Sequence, residues 1–393
     1  MRDMTSKERM LTSIRGGKPD HTPCSFMAFF NLRQRYASEA EYVTRQVEMG
    51  LDAYVQVGYL EPSLHPAASE KIWTTREGME TFFHRRIDTP KGPLIQTVAQ
   101  EDGWPQEGDF WRFNDWIVPR CREVLVKPEQ DLEKLPYLLG PFRDEHIRAL
   151  RASAKASRAI ADRHQVLLAG GWSSSNSLRG RGDDGVMGAD ALAWMSGFEE
   201  IMILSLTQPE IIREYIRIIH EWNLKQIQIY LEVSDADLII RRAWYETTEF
   251  WTPEAYRTLI APVLKREVEL VHQAGRLFGL ITTSAFRPIL NDILDTGIDV
   301  LIGLDPEEGK GTHLADIKAQ FHAKGRALWG GVSGAMTVEQ GTREDTERAV
   351  RTALDTLAPE GGFILSPVDN VRVDTPRTWD NTQVLIDAWK RWR

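Results

Sequence analysis

Short, continuously apolar runs return along this chain with helical stretches between them, and this recurrence restricts the fold more than any other feature. The runs are TPCSFMAFF (Thr22 to Phe30), AYVQVGY (Ala53 to Tyr59), QVLLAGG (Gln165 to Gly171), ADLIIRRA (Ala236 to Ala243), RLFGLIT (Arg276 to Thr282), VLIGLDP (Val300 to Pro306), ALWGGVS (Ala327 to Ser333) and GFILSPV (Gly362 to Val368). They are unbroken rather than alternating, as expected of parallel strands covered by helices on their outer face. Between them, SEAEYVTRQVEMG, TPEAYRTLIAPVLKREVELVHQAG, AFRPILNDILDTG and TREDTERAVRTALDTLAPEGG carry helical periodicity and stop at Gly or Pro. Thr252 before Pro253 reads as an N-cap followed by Pro at the first helical position, and Gly275 as a stop. Eight such strands with interposed helices predict an α/β protein, a (β/α)8 TIM barrel forming one domain over residues 1–393.

One stretch departs from the repeat. Leu60 to Gly140 is rich in Trp, Pro and Gly and has no long helical period. It reads as an excursion after the second strand, with β-hairpin character around Phe82 to Val98, placed over part of the barrel mouth.

In this architecture chemistry sits at the C-terminal ends of the strands. Those ends place Asn31, Tyr59 with Glu61, Trp172 to Ser175, Arg242 to Glu246, Thr282 to Ser284, Asp305, Gly330 to Ser333, and Asp369 with Asn370 at one mouth. Arg241-Arg242-Ala243-Trp244-Tyr245-Glu246 is the densest group, joining cations, an aromatic platform, a phenol and a carboxylate at one strand-to-loop junction. It reads either as a substrate contact or as an Arg–Glu pair closing the barrel top. Asp305 in GLDP is followed by a proline and Asp369 in SPVDN comes two residues after one, so each serves the site or accepts backbone N–H bonds in a turn. Trp329-Gly330-Gly331-Val332-Ser333-Gly334 lets backbone approach a ligand closely, but no G-x-G-x-x-G dinucleotide fingerprint stands here. SLRGRGDDGVMG reads as a lid with glycine hinges or as an ordinary solvated loop. The 13 Trp suit an aromatic mouth wall as well as core packing.

Composition removes several classes of function. With 48 Lys+Arg against 57 Asp+Glu, the net charge of −9 argues against a nucleic-acid partner. The 42% hydrophobic content supports a large core, and no run of about eighteen apolar residues predicts a membrane span. The opening residues lack an apolar signal region, and Cys24 and Cys121 form no disulfide framework, so a reducing cytoplasm is the expected compartment. No H-x-H, H-E-x-x-H or H-x-C spacing occurs, and no zinc site is predicted.

Four segments resemble one superfamily: MTSKERMLTSIRGGKPDHTPCSF, HQAGRLFGLITTSAFRPILNDILDTGIDVL, LWGGVSGAMTVEQGTREDTERAVRTAL and GGFILSPVDNV. They are similar to the uroporphyrinogen decarboxylase superfamily, which includes the methylcobamide:coenzyme M methyltransferases, and the resemblance spans nearly the whole chain. It implies the same barrel. It also implies His and Cys zinc ligands at positions held here by Ile281 and Thr283, and a third, a Cys, close to Asp369. In the decarboxylase that third position is a His, the essential Asp would lie near Tyr59, and its Arg-rich MRQAGRY motif becomes FMAFFNLRQRY, leaving Arg33 and Arg35 nearby. Decarboxylation of a porphyrinogen bearing several carboxylates is therefore not expected.

The first functional reading is a methyltransferase that takes a methyl group from a small O- or N-methylated compound and passes it to a corrinoid on a partner protein. Tyr245 or Glu246 would supply the proton to the leaving group and Asp369 would orient it, with Arg242, Trp244, Asn31, Tyr59, Trp172, Thr283, Asp305, Trp329 and Asn370 around the substrate. The alternatives are a carboxy-lyase in which Arg242 holds a carboxylate, a glycosidase-like hydrolase using two of Glu246, Asp305 and Asp369, and a binding protein without turnover. A homodimer is compatible with each.

Overall fold

Val300–Leu304, Leu277–Ile281 and Leu238–Arg242 show why the apolar runs become strands. Successive side chains point to opposite faces of a strand, and here both faces are covered. Val300, Ile302, Ile281, Leu238 and Ile240 enter one buried cluster with Trp329 and Ile364. Leu301, Leu280 and Ile239 join another that contains Leu264, Val268 and Val271 from the helix Ala261–Gln273.

The computed structural model describes residues 3–58, 60, 62–100, 110, 112–171, 188–307 and 313–393. Along them run β1 (Tyr54–Gln56), β2 (Ser69–Glu77), β3 (Glu80–Asp88), β4 (Leu94–Gln100), β5 (Cys121–Glu123), β6 (Leu167–Gly171), β7 (Leu238–Arg242), β8 (Leu277–Ile281), β9 (Val300–Leu304), β10 (Ala327–Ser333) and β11 (Phe363–Val368). A curled parallel sheet has the order β1-β6-β7-β8-β9-β10-β11. Long helices separate its members, among them Asp144–His164 before β6 and Pro209–Val233 before β7. The start signal at Thr252 works as the sequence suggests, its Oγ1 accepting the Ala255 N–H, and the structure adds a capping box of Thr342 with Asp345.

The first apolar run does not become an eighth strand. Thr22 to Phe30 makes one parallel bridge, between Cys24 and Leu365. Pro23 has no N–H to give to a ladder, so its carbonyl accepts from Leu365 N–H (2.9 Å) while Ser25 N–H donates to Leu365 O (2.9 Å). On the other side Asp52 N–H donates to Cys24 O (2.8 Å). This segment thus meets β11 through two backbone bonds and the chain just before β1 through one. The described sheet has seven strands where eight are expected.

The excursion is more regular than a hairpin. β2, β3, β4 and β5 form an antiparallel sheet around Phe83, Val98, Phe110 and Ile117. Its buried Arg85 is held by Gln96 Oε1 (2.7 Å) and Glu70 (2.8 Å).

The Gly-rich stretch of β10 is explained by packing. Gly330 has φ +150°, and a Cβ there would lie 2.7 Å from Leu304 O, at the register shift between β9 and β10. Closeness to β9 is what its lack of a side chain permits.

Candidate active site

β7 ends in two adjacent arginines, and strand alternation sends them to opposite faces. Arg241 follows Ile239 outward, toward the helices. Its Nη1 and Nη2 meet Glu246 Oε2 and Oε1 at 2.6 and 2.7 Å, and its Nε lies 2.7 Å from Glu267 Oε2 on Ala261–Gln273. Glu267 Oε1 in turn contacts His220 Nδ1 at 2.9 Å, and Ala189 N–H donates to Glu246 Oε1 at 2.7 Å. The Arg241, Glu246 and Glu267 side chains are at most 3% exposed. Gly188 has φ +50°, and any side chain there would collide with Arg241 and Glu246.

Arg242 follows Ile240 inward. Its Nη2 donates to both oxygens of Asp115 at 2.9 Å, and its Nε is 3.3 Å from Asp190 Oδ2. The guanidinium lies over the rings of Trp244 (4.3 Å), Trp194 (4.6 Å) and Tyr245 (5.3 Å), positions in which ring quadrupoles favour a cation. Asp115 also accepts from Tyr245 OH (2.5 Å) and Trp194 Nε1–H (2.8 Å). Asp190 accepts the backbone N–H groups of Tyr245 (2.7 Å) and Trp244 (3.1 Å), which fixes the turn after β7.

These surroundings separate the carboxyl groups. Burial pushes Asp190 up to about 7, against the pull of Arg242. Burial also acts on Asp115, but Arg242 and the hydrogen bonds from Tyr245 and Trp194 outweigh it and hold Asp115 below the usual range. The Tyr245 phenol is pushed well up by burial and by the Asp115 charge. Asp369, just past β11, is raised by burial, with Arg372 and Arg242 pulling it down and Asp115 and Asp305 pushing it up. Its side chain stays 30% open, with Arg372 at 3.6 Å.

The raised Asp190 has a consequence for stability. The folded chain keeps its proton up to about pH 7, whereas the ordinary carboxyl value is 3.8. The folded state therefore binds more protons across that window, and Asp190's contribution is fully present below it and lost as pH rises through about 7. Asp190→Asn, neutral throughout, is expected to gain melting temperature relative to the parent from about pH 5 to about pH 8. Parallel melting-temperature profiles for the two proteins would overturn this.

The structure distributes the other expected site residues unevenly. Glu246 is locked beside Arg241 rather than facing the mouth, so the ion-pair alternative describes its placement, with Arg241 and not Arg242 as partner. Asp305 is fully buried and accepts Glu307 N–H at 2.8 Å, the turn role, while its charge still reaches Asp369. Thr283 lies just beyond β8 and is 9% exposed. Asn370 Oδ1 accepts Phe30 N–H (3.3 Å) and Asn31 Nδ2 donates to Val373 O (3.4 Å), so both asparagines tie the first apolar segment to the chain after β11. Trp329 is corrected to a core residue: its ring packs edge-on against Tyr54 and its Nε1–H donates to Ser25 O at 2.7 Å. The reason is its place in mid-strand on the inward face of β10, below the strand ends. Tyr59, Glu61, Trp172 to Ser175 and the proposed lid up to Met187 lie outside the described residues.

Asp115, Asp190, Glu267 and His220 were not anticipated. Asp115 and Asp190 carry no motif and reach Arg242 across 127 and 52 residues of sequence. Glu267 does leave a trace, since it shares the apolar helical face of Leu264, Val268 and Val271. His220 likewise sits among Ile216, Ile219 and Asn223 on a buried face.

Among the described residues, no three His, Cys, Asp or Glu side chains are grouped to hold a metal. Ile281 is fully buried in the inner apolar cluster, so neither it nor Thr283 provides a ligand where the resemblance implies His and Cys. A cavity of about 580 Å³ opens elsewhere, beyond β1 between Gly58, Leu60, Arg112, Arg143 and His146, and does not include the Arg242 group. No described helix is long and apolar enough to cross a membrane.

The family described as Uroporphyrinogen decarboxylase (URO-D) matches residues 189–392. A methyltransferase from Methanosarcina mazei superposes with a TM-score of 0.60 over 99% of both chains, at 17% identity. A B12-independent methionine synthase from Shewanella sp. W3-18-1 aligns over 65% of this chain and 69% of its own at TM-score 0.37 and 10% identity. A D-psicose 3-epimerase from Clostridium cellulolyticum H10 aligns over 66% and 84% at TM-score 0.33 and 12% identity. No curated protein matches the sequence.

Proposed function

Because this chain belongs to the uroporphyrinogen decarboxylase family, we propose that it is an enzyme that removes a methyl group from a small O- or N-methylated substrate and passes it to a corrinoid presented by a partner protein. The observation that carries this reading is Asp369: a carboxyl whose proton affinity burial raises, 30% open, at a strand end whose field it shares with Arg242, Asp115 and Asp305. The corrinoid, as methyl acceptor, supplies the nucleophile. As the bond from methyl carbon to oxygen or nitrogen breaks, Asp369 gives its proton to the leaving atom and becomes the carboxylate, so the leaving group departs neutral.

The other groups position the substrate. Asp115, fixed by Arg242, Tyr245 and Trp194, presents a carboxylate with its side chain 46% exposed, and Trp244 and Tyr245 add an aromatic wall. Glu246 and Arg241 act one layer further out, where they brace Ala189 and the turn bearing Tyr245. Among the described residues, Ile281 and Thr283 offer no zinc ligands where the resemblance implies them.

The charge balance supports methyl transfer over decarboxylation of a polycarboxylate. Arg242 is buried and already engaged by Asp115 and Asp190, while Asp115 stands as an open carboxylate. A substrate bearing several carboxylates would meet repulsion. The test is incubation of the full chain with a supplied corrinoid protein and a panel of methoxy and methylamino compounds. Methylation of the corrinoid, read from its absorption spectrum, with release of the demethylated product is the expected result. Carbon dioxide release without any methyl acceptor, or no demethylation across the panel, would overturn the reading.

A further inference from the structure

The antiparallel sheet ends in an edge of unusual character. All nine residues of β2, Ser69–Glu77, are exposed, and among the described residues no strand pairs with its outer side. The edge is apolar at its centre: Ile72 is 45% and Trp73 37% exposed, and Met79 in the following turn is 94% exposed. Trp73 is held ready, stacked on His84 at 5.1 Å with Lys71 Nζ 5.7 Å from its ring. Long open edges normally template the pairing of another chain unless they are blunted.

We infer that β2 is a self-docking edge, at which two copies of this chain join their four-stranded sheets antiparallel about a two-fold axis at Trp73. The occupant follows from the charge order of SEKIWTTRE. In an antiparallel pair, directly opposed residues have backbone groups pointing the same way relative to the shared edge, so only residues of matching parity oppose each other. A two-fold axis therefore passes through a residue and never between two. The registers that would set Lys71 against Arg76 and Glu70 against Glu77 are excluded by that parity.

Centring on Trp73 overlaps all nine residues. It opposes Glu70 to Arg76 of the second copy and Arg76 to its Glu70, Lys71 to Thr75, Ile72 to Thr74, and Trp73 to Trp73. Opposite charges and aromatic pairs directly across an antiparallel ladder are the favourable combinations, while like charges there are unfavourable. Beyond the strand, Gly78 and Met79 fall opposite Ala68 and Ala67. The self-complementary order selects a second copy over an unrelated partner. A closed two-fold contact uses each edge once and so stops at the dimer.

The test uses the full chain. Sedimentation over a concentration series should show a reversible monomer–dimer equilibrium. Arg76→Glu should raise the dimer dissociation constant by about tenfold or more, because two favourable cross-strand pairs become repulsive. Mixing Arg76→Glu with Glu70→Arg should restore association as a heterodimer. Under mild oxidation Trp73→Cys should give an intermolecular disulfide, whereas Thr75→Cys, opposed to Lys71, should not. The cysteine pair keeps the proposal testable if Glu70→Arg fails to fold through loss of its Arg85 contact. A monomer at every concentration, a dimer indifferent to Arg76→Glu, or equal cross-linking at positions 73 and 75 would each overturn it.

Discussion

Asp369→Asn is expected to lower turnover by about 10²–10⁴-fold, the range for losing a positioned general acid, with little change in melting temperature. The amide keeps the shape of the carboxyl at the end of β11 but cannot release a proton to a leaving group. Its contact with Arg372, 3.6 Å away and with that arginine's side chain 67% exposed, is too solvated to matter much to stability. The pH profile gives an independent readout. Burial raises the Asp369 carboxyl, so the parent should lose kcat/KM as pH rises through that raised value and the acid gives up its proton. The variant's residual activity should lack that alkaline limb. Full turnover in Asp369→Asn would move the acid role to Tyr245, whose phenol donates to Asp115 in the same cluster.

Arg241→Met is expected to be among the most destabilising single changes in the protein, costing about 3–5 kcal/mol because it strands buried charge. Arg241 is the cation shared by Glu246 and Glu267, both about 1% exposed at their side chains. Methionine fills much of the volume but leaves two buried carboxylates facing each other without compensation. Glu246→Gln should be milder in the same direction, since one of two oxygens facing Arg241 becomes an amide that must also lie beside the Ala189 N–H. Replacing Arg241, Glu246 and Glu267 together by apolar residues of similar size should recover much of the loss, as removal of a whole buried ion group is far less costly than removal of one member. Thermal melting of the single and triple variants decides the matter. An unchanged melting temperature in Arg241→Met would show that the network is not structural.

Most of the fold was legible because strand burial imposes a pattern on sequence that helices and loops do not share. Seven of the eight apolar runs lie in the parallel sheet, and the start signal at Thr252 marks a real helix start. The exception, Thr22 to Phe30, is as apolar as the others, and hydropathy cannot register that its single bridge stands beside a proline without an N–H. The strand-end rule pointed to Arg242, Trp244, Tyr245 and Asp369, the first three of which meet in one cluster, but it treated every nearby polar residue alike. Asn31 and Asn370 turned out to tie backbone segments together, and Trp329 to fill the interior.

The sequence by itself determined that β7 would end in Arg241 and Arg242, and strand alternation already required them to face opposite ways. It did not determine what each would meet. Only the tertiary structure brings Asp115 from the antiparallel excursion, and Asp190 from the helix Gly188–Ser196, against the inward arginine. Only the structure sets Glu246 and Glu267 against the outward one. The physical reason is range. Hydrophobic periodicity is a local signal written every few residues, whereas a carboxyl's proton affinity and role depend on which charges lie within a few ångströms, and at Arg242 those come from segments more than fifty residues apart.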